Sequence, residues 1–179
     1  MTPSACRRRR ISVFKAHPEG FQIDETGTEV FVNVPGAHEI VVADLATGST
    51  QSLPTQGAGS NFPMAIDGEG HRVVAVFRSP PTLMALASQD GHVLAKAETC
   101  GDADDVFVDS KRRRVYVSGG EGVVDVLEPL EAGYRRLARV PTVPGARTSL
   151  FVPELDRLFV AVRAAYNEPA AIWVLRPAS

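Results

Sequence analysis

The sequence predicts an all-β fold, a β-propeller built from four blades of four antiparallel strands each, and three observations carry that expectation. One pattern recurs four times, anchored on Asp24, Asp67, Asp109 and Pro153, so that the spacing between successive anchors is 43, 42 and 44 residues. Each anchor stands between two β-rich runs separated by a short polar connector, which is the signature of a hairpin. A third β-rich run and a further turn follow in every repeat, and four strands per repeat is the arrangement of a propeller blade.

The first blade is expected over about residues 17–60. Phe21-Gln22-Ile23 leads through Glu25-Thr26-Gly27-Thr28 to Val30-Phe31-Val32, then to Ile40-Val41-Val42-Ala43, a Thr47-Gly48 turn and an outer strand near Thr50 to Leu53. The second, over about 61–101, runs from Met64-Ala65-Ile66 through Gly68-Glu69-Gly70-His71 to Val73-Val74-Ala75-Val76. Leu83 to Leu86, Asp90-Gly91 and Val93 to Ala97 complete it. The third, over about 102–144, pairs Val106-Phe107-Val108 with Val115-Tyr116-Val117 across Ser110 to Arg113, then adds Val123 to Leu127 and Arg135 to Val140. The fourth, over 145–179, pairs Leu150-Phe151-Val152 with Leu158-Phe159-Val160 and ends on Ile172 to Leu175, one strand short. Ile11 to Phe14 is an extra outer strand that either closes the ring beside Ile172 to Leu175 or belongs to a preceding blade. Residues 1–10, with Arg7 to Arg10, form a disordered basic N-terminus ahead of a propeller domain spanning 11–179.

Composition narrows the function classes. The chain has 179 residues, is 44% hydrophobic and 22% charged, and carries a formal net charge of -2, an ordinary globular balance that gives no electrostatic pull toward nucleic acid. No apolar run is long enough for a membrane-spanning helix, and no signal peptide is legible. Cys6 and Cys100 lack metal-binding spacing. If the ring stays open, the apolar faces of the terminal blades and their edges favour self-association.

Several stretches together resemble one family. His17-Pro18-Glu19-Gly20-Phe21, Asn61-Phe62-Pro63-Met64-Ala65, Gly101-Asp102-Ala103-Asp104-Asp105-Val106, Tyr116-Val117-Ser118-Gly119-Gly120-Glu121-Gly122 and Gly145-Ala146-Arg147-Thr148 look like the YVTN-type, YncE-like seven-bladed β-propellers of bacteria. The resemblance covers roughly residues 12–176 and matches the C-terminal, four-blade portion of such proteins. It implies a binding or scaffold role outside the cytoplasm, in the periplasm or secreted, which conflicts with the missing signal.

Functional residues are expected where the innermost strands begin, because those strands line the channel and the loops leading into them gather at one mouth. Glu19, Asn61, Asp104 with Asp105, and Arg147 occupy similar places in successive repeats and form a ring of ligand-binding candidates. Arg78 and Arg163 follow second strands and are positioned to pair with Glu19, Asp104 or Asp105. Glu19, Asn61 and Asp104 carry hard oxygens suited to Ca²⁺ or another divalent cation, which gives an alternative reading as a metal-dependent, lactonase-like hydrolase. The preferred reading requires no cofactor and no catalytic residue. It is a non-catalytic propeller presenting its loop face or channel mouth to a small ligand or protein partner, and a truncated, non-functional fragment is the third possibility. No nucleophile elbow surrounds Ser149, and Ser118 to Gly122 joins two strands rather than a strand to a phosphate-binding helix.

Overall fold

β-Branched and aromatic runs separated by turn residues become fifteen strands among the described residues, which in this computed structural model are 13–165 and 169–178. The first sheet contains β1 (Phe21–Ile23), β2 (Glu29–Val34), β3 (Glu39–Asp44) and β4 (Thr50–Pro54). The second contains β5 (Gly59–Asp67), β6 (Arg72–Ser79), β7 (Pro81–Ala87) and β8 (Val93–Glu98). The third contains β9 (Ala103–Asp109), β10 (Arg114–Gly119), β11 (Val123–Pro129) and β12 (Tyr134–Pro141). In the fourth are β13 (Ser149–Val152), β14 (Arg157–Val162) and β15 (Ala171–Leu175). Every pairing is antiparallel between consecutive strands, so each sheet is a meander.

The recurring anchor aspartate has a local cause. Asp24 Oδ1 accepts from the amides of Thr28 and Glu29 at 2.7 Å each, Asp67 Oδ1 from Gly70 at 3.1 Å, and Asp109 Oδ1 from Arg112 at 3.2 Å. The side chain thus satisfies the amides of the tight turn between first and second strands. The residue closing the turn adopts a left-handed conformation at Gly27, His71 and Arg113. In the fourth repeat Pro153 replaces the aspartate, and a 3₁₀ turn over Pro153–Leu155, closed by left-handed Asp156, does the same work.

Neighbouring sheets stack face to face. Between the first and second lie Phe31, Ile40, Val42 and Leu53 against Met64, Val73, Ala75, Phe77 and Leu86. Ala65, Val74, Val76 and Leu83 meet Val106, Val115, Val117 and Leu127 between the second and third, and Tyr116 and Val124 meet Phe151, Leu158 and Val160 between the third and fourth. The uninterrupted Val73–Phe77 run is explained by this stacking, since successive residues point into different interfaces and all five are fully buried. The first strands β1, β5, β9 and β13 contact one another in succession, as innermost strands around an axis do.

The arc is open. On the outward face of the fourth sheet Leu150 (55%), Ile172 (61%) and Val174 (56%) are exposed, and on that of the first Phe21 and Ile23 are exposed as well. Of the expected extra strand, Ile11 and Ser12 lie outside the described residues, and Val13 and Phe14 are not in a strand. Phe14, with Ala16, packs on Val32, Val34 and Val41 of the first sheet, so its apolar ring serves the opposite end of the arc from β15.

Candidate functional site

Four charged side chains close a ring of ion pairs where the second, third and fourth sheets meet at the start of their inner strands. Arg78 extends from the end of β6. Its Nη1 lies 3.0 Å from Asp102 Oδ1, its Nη2 donates to Asp104 Oδ1, and its Nε donates to the carbonyl of Ala103 at 2.8 Å. Arg147, in the loop leading into β13, places Nη1 2.6 Å from Asp102 Oδ2 and Nε 2.8 Å from Asp104 Oδ2. Each carboxylate therefore bridges both guanidiniums. The Phe62 ring lies 4.3 Å below the Arg78 guanidinium carbon, a cation–π contact that fixes the group's plane. The four side chains retain between 22% and 43% of their surface, so the ring faces solvent.

Local backbone geometry sets up this cluster. Asp102 holds φ 53° in the loop before β9, which turns its carboxylate toward both arginines. Gly120 lies against it, and a Cβ there would collide with the Asp102 carboxylate.

The sequence-expected residues separate into three environments. Asp104 and Arg147 are partners within the ring. Asp105, next along β9, points elsewhere: its Oδ2 accepts the Ser149 amide at 2.6 Å, tying β9 to β13, and Ser149 Oγ is 2.7 Å from Ser118 Oγ. Burial raises the Asp105 carboxyl pKa, and the neighbouring Asp104 charge adds to the shift. Asn61 is wholly buried. Its Nδ2 donates to Asn33 Oδ1 at 2.9 Å, while Asn33 Nδ2 donates to the Phe62 carbonyl at 2.9 Å, so the two amides lock the first sheet to the second. Among the described residues Asn61 Oδ1 has no hydrogen-bond partner. Glu19 is exposed, with His17 Nε2 4.0 Å away, and its amide donates to the Asn33 carbonyl at 2.8 Å.

Among the described residues, no group of three or more His, Cys, Asp or Glu side chains is disposed to hold a metal ion. Both oxygens of Asp104 are already engaged by guanidinium groups, so a divalent cation there would have to displace one of them. Pairing of Arg78 with Asp104 matches the expectation from strand position. Asp102, just before β9, and Phe62 complete the arrangement, and neither was among the residues expected at the mouth. Arg163 stands near by. Its Cδ and Nη1 lie 2.9 and 3.0 Å from where a Gly145 Cβ would be, it is exposed, and among the described residues it has no hydrogen-bond or ion-pair partner.

A second charge cluster is built on a buried carboxylate between β11 and β12. Asp125 of β11, fully buried, accepts from Arg139 Nε at 2.7 Å and Nη2 at 2.8 Å, and from Thr99 Oγ1 at 3.3 Å. Beside it Cys100 is enclosed, and burial pushes its thiol up to about 11, which keeps it a protonated, unreactive core group.

No protein-family profile and no curated protein matches the chain. Solved structures do. Hydrazine synthase of Kuenenia stuttgartiensis superposes with a TM-score of 0.78 at 10% identity, over 96% of this chain and 49% of that one. A chain of the mitotic checkpoint complex gives 0.77 at 9% identity, over 92% and 51%, and the β-propeller domain of Myceliophteria thermophila Cps50 (Swd1) gives 0.70 at 12%, over 84% and 50%. The likeness is to β-propellers as a class and establishes that fold. The chain spans about half the length of each of these proteins.

Proposed function

We propose that the protein is a non-catalytic binding propeller whose loop face at the channel mouth receives an anionic group, a carboxylate or phosphate borne by its ligand. One observation carries this reading: beside the closed Arg78, Asp102, Arg147 and Asp104 ring, Arg163 is exposed and has no hydrogen-bond or ion-pair partner among the described residues. Arg147 engages the aspartates through Nε and Nη1, and Nη2 takes no part in those ion pairs. Arg163 packs against Gly145, two residues before Arg147, and guanidiniums with uncommitted N–H donors suit forked recognition of a planar carboxylate or of phosphate. The aspartates hold Arg147 in place before the ligand arrives, so little ordering entropy is lost on binding. Nothing in the cluster is arranged as nucleophile and base, which favours binding over turnover.

The test is titration of the purified chain with citrate and, separately, inorganic phosphate, followed by calorimetry. Saturable binding of either probe that falls at least about tenfold in Arg163→Ala, a loss of about 1.4 kcal/mol, supports the reading. Absence of heat for both probes, or binding indifferent to Arg163→Ala, overturns it.

A further inference from the structure

We infer that the basic segment just ahead of the first sheet, residues 7–12, is a strap that docks along the outward face of that sheet and is held there by the Arg7 to Arg10 run. The two end sheets differ in one telling respect. Phe21, Val32 and Val41 stand opposite one another across β1, β2 and β3, as Leu150, Phe159 and Val174 do across β13, β14 and β15. The inner-strand members are alike, with Phe21 62% and Leu150 55% exposed. On the third strand the sheets diverge: Val174 is 56% exposed, whereas Val41 and Ala43 of β3 are 6% exposed each. The first sheet is therefore covered along β3, where the corresponding strand of the fourth is not.

Part of that cover is the chain just before β1. Ala16 sits at the Pro35–Ala37 turn joining β2 to β3, where a Cβ on Gly36 would come within 3.0 Å of its own Cβ. Lys15 Nζ pairs with Glu39 Oε2 at 2.8 Å where β3 begins. Phe14 packs on Val32, Val34 and Val41, further down the sheet, while Val13 points off it. Followed backward from Ala16, the chain thus descends the sheet from the β2–β3 turn toward Asp44. Ala43 lies outside the cluster that Phe14 and Ala16 join, two residues or about 7 Å beyond Val41 along the strand. Residues 11 and 12 come next on that path, and Arg10, four residues ahead of Phe14, has a reach of about 13 Å, enough to bring it to Asp44.

Charge makes the match specific. Residues 1–16 carry five cationic side chains, Arg7 to Arg10 and Lys15, and no carboxylate, whereas residues 17–60 carry six carboxylates and neither Lys nor Arg. Lys15 and Glu39 are one pair of this match already in place. Four of the other carboxylates, Asp24, Glu25, Glu29 and Asp44, stand at the end of the sheet toward which the segment runs. Glu29 and Asp44 are direct cross-strand partners, a like-charge juxtaposition that a neighbouring cation relieves. The strap thus caps the outward face of the first sheet and commits the arginine run to the chain's own carboxylates rather than to an external polyanion. This inference is independent of the anion-binding reading, since none of these residues belongs to the arginine cluster at the mouth.

The test is a nitroxide attached to Cys6 of the full chain, read as paramagnetic broadening of backbone amides at low salt. Cys100 is enclosed in the core with its thiol protonated, so Cys6 takes the label. Amides of the turns over residues 24–29 and 44–49 should lose most of their intensity, and those of β13 to β15 should keep theirs. With Arg9→Glu and Arg10→Glu combined, the turn amides should regain their intensity while the chemical shifts of the second and third sheets stay fixed, which shows that the fold persists. Salt at about 1 M, where screening acts over about 3 Å, should do the same to the parent, a decision that needs no substitution. Broadening of the turns that ignores both the substitutions and the salt reflects tethering at Val13 alone and overturns the inference. Broadening spread evenly over all four sheets, or absent from the first, overturns it as well.

Discussion

Asp105 and Asp104 are neighbours in sequence, yet their surroundings give them opposite roles. Asp104 is held between two guanidiniums, whereas Asp105 is desolvated and has one amide donor. Its folded-state pKa lies above the ordinary value, so the folded protein binds the proton more readily than the unfolded chain, and the ionised carboxylate costs stability at neutral pH. That cost disappears as pH falls through the raised pKa and then below the unfolded value near 4. Asp105→Asn keeps an acceptor for the Ser149 amide without the charge. It should therefore melt higher than the parent at pH 7, with the difference vanishing toward pH about 4, as followed by thermal denaturation. Arg78 presents the reverse case. Arg78→Ala removes two partly exposed ion pairs and the Phe62 contact, and denaturant unfolding should show a loss of about 1–2 kcal/mol. Combined with Arg147→Ala, the effects should be less than additive, because both arginines share Asp102 and Asp104. Sequence position offered Glu19, Asp104 or Asp105 as partners for Arg78, and the structure pairs it with Asp104 together with Asp102. Asp102 was harder to read: its part depends on a left-handed backbone that the sequence does not announce. Asn61 was misleading in another way, because a loop-flanking amide reads as exposed while the structure buries it against Asn33.

Strands and turns followed the pattern closely where local chemistry decides them. The Asp24 turn is an example: a donor hydroxyl from Thr26 and the amides of Thr28 and Glu29 hold the carboxyl pKa down at about 2. A depressed folded pKa means stabilisation present above the unfolded value near 4 and lost as pH falls through about 2. Solvent screening limits the effect, so Asp24→Ala should cost about 1 kcal/mol at pH 7 and nearly nothing at pH about 2, measured by urea unfolding at both. The fourth sheet shows where legibility ended. Its three strands were readable from Leu150 to Leu175, including the substitution of Pro153 for the anchor aspartate. The extra strand expected over Ile11 to Phe14, either closing the ring beside β15 or belonging to a preceding blade, falls partly outside the described residues. Phe14 packs on Val32 and Val41, a contact set by which apolar surface lies within reach of the chain, and tertiary proximity is not encoded in a local pattern.

At the scale of the molecule, the period near 43 residues announced repeated blades, but not how far the ring would turn or which faces it would leave bare. Those depend on how each sheet pair wedges together, a property of packed side chains rather than of periodicity. The arrangement makes stability uneven along the arc. Among the described residues, sheets two and three are each covered on both faces, while sheet four is covered on one and its last strand pairs on one side only. Amide exchange, which reads local opening, should consequently be slowest in Val73 to Phe77 and Val115 to Val117 and fastest among the strands in Ala171 to Leu175.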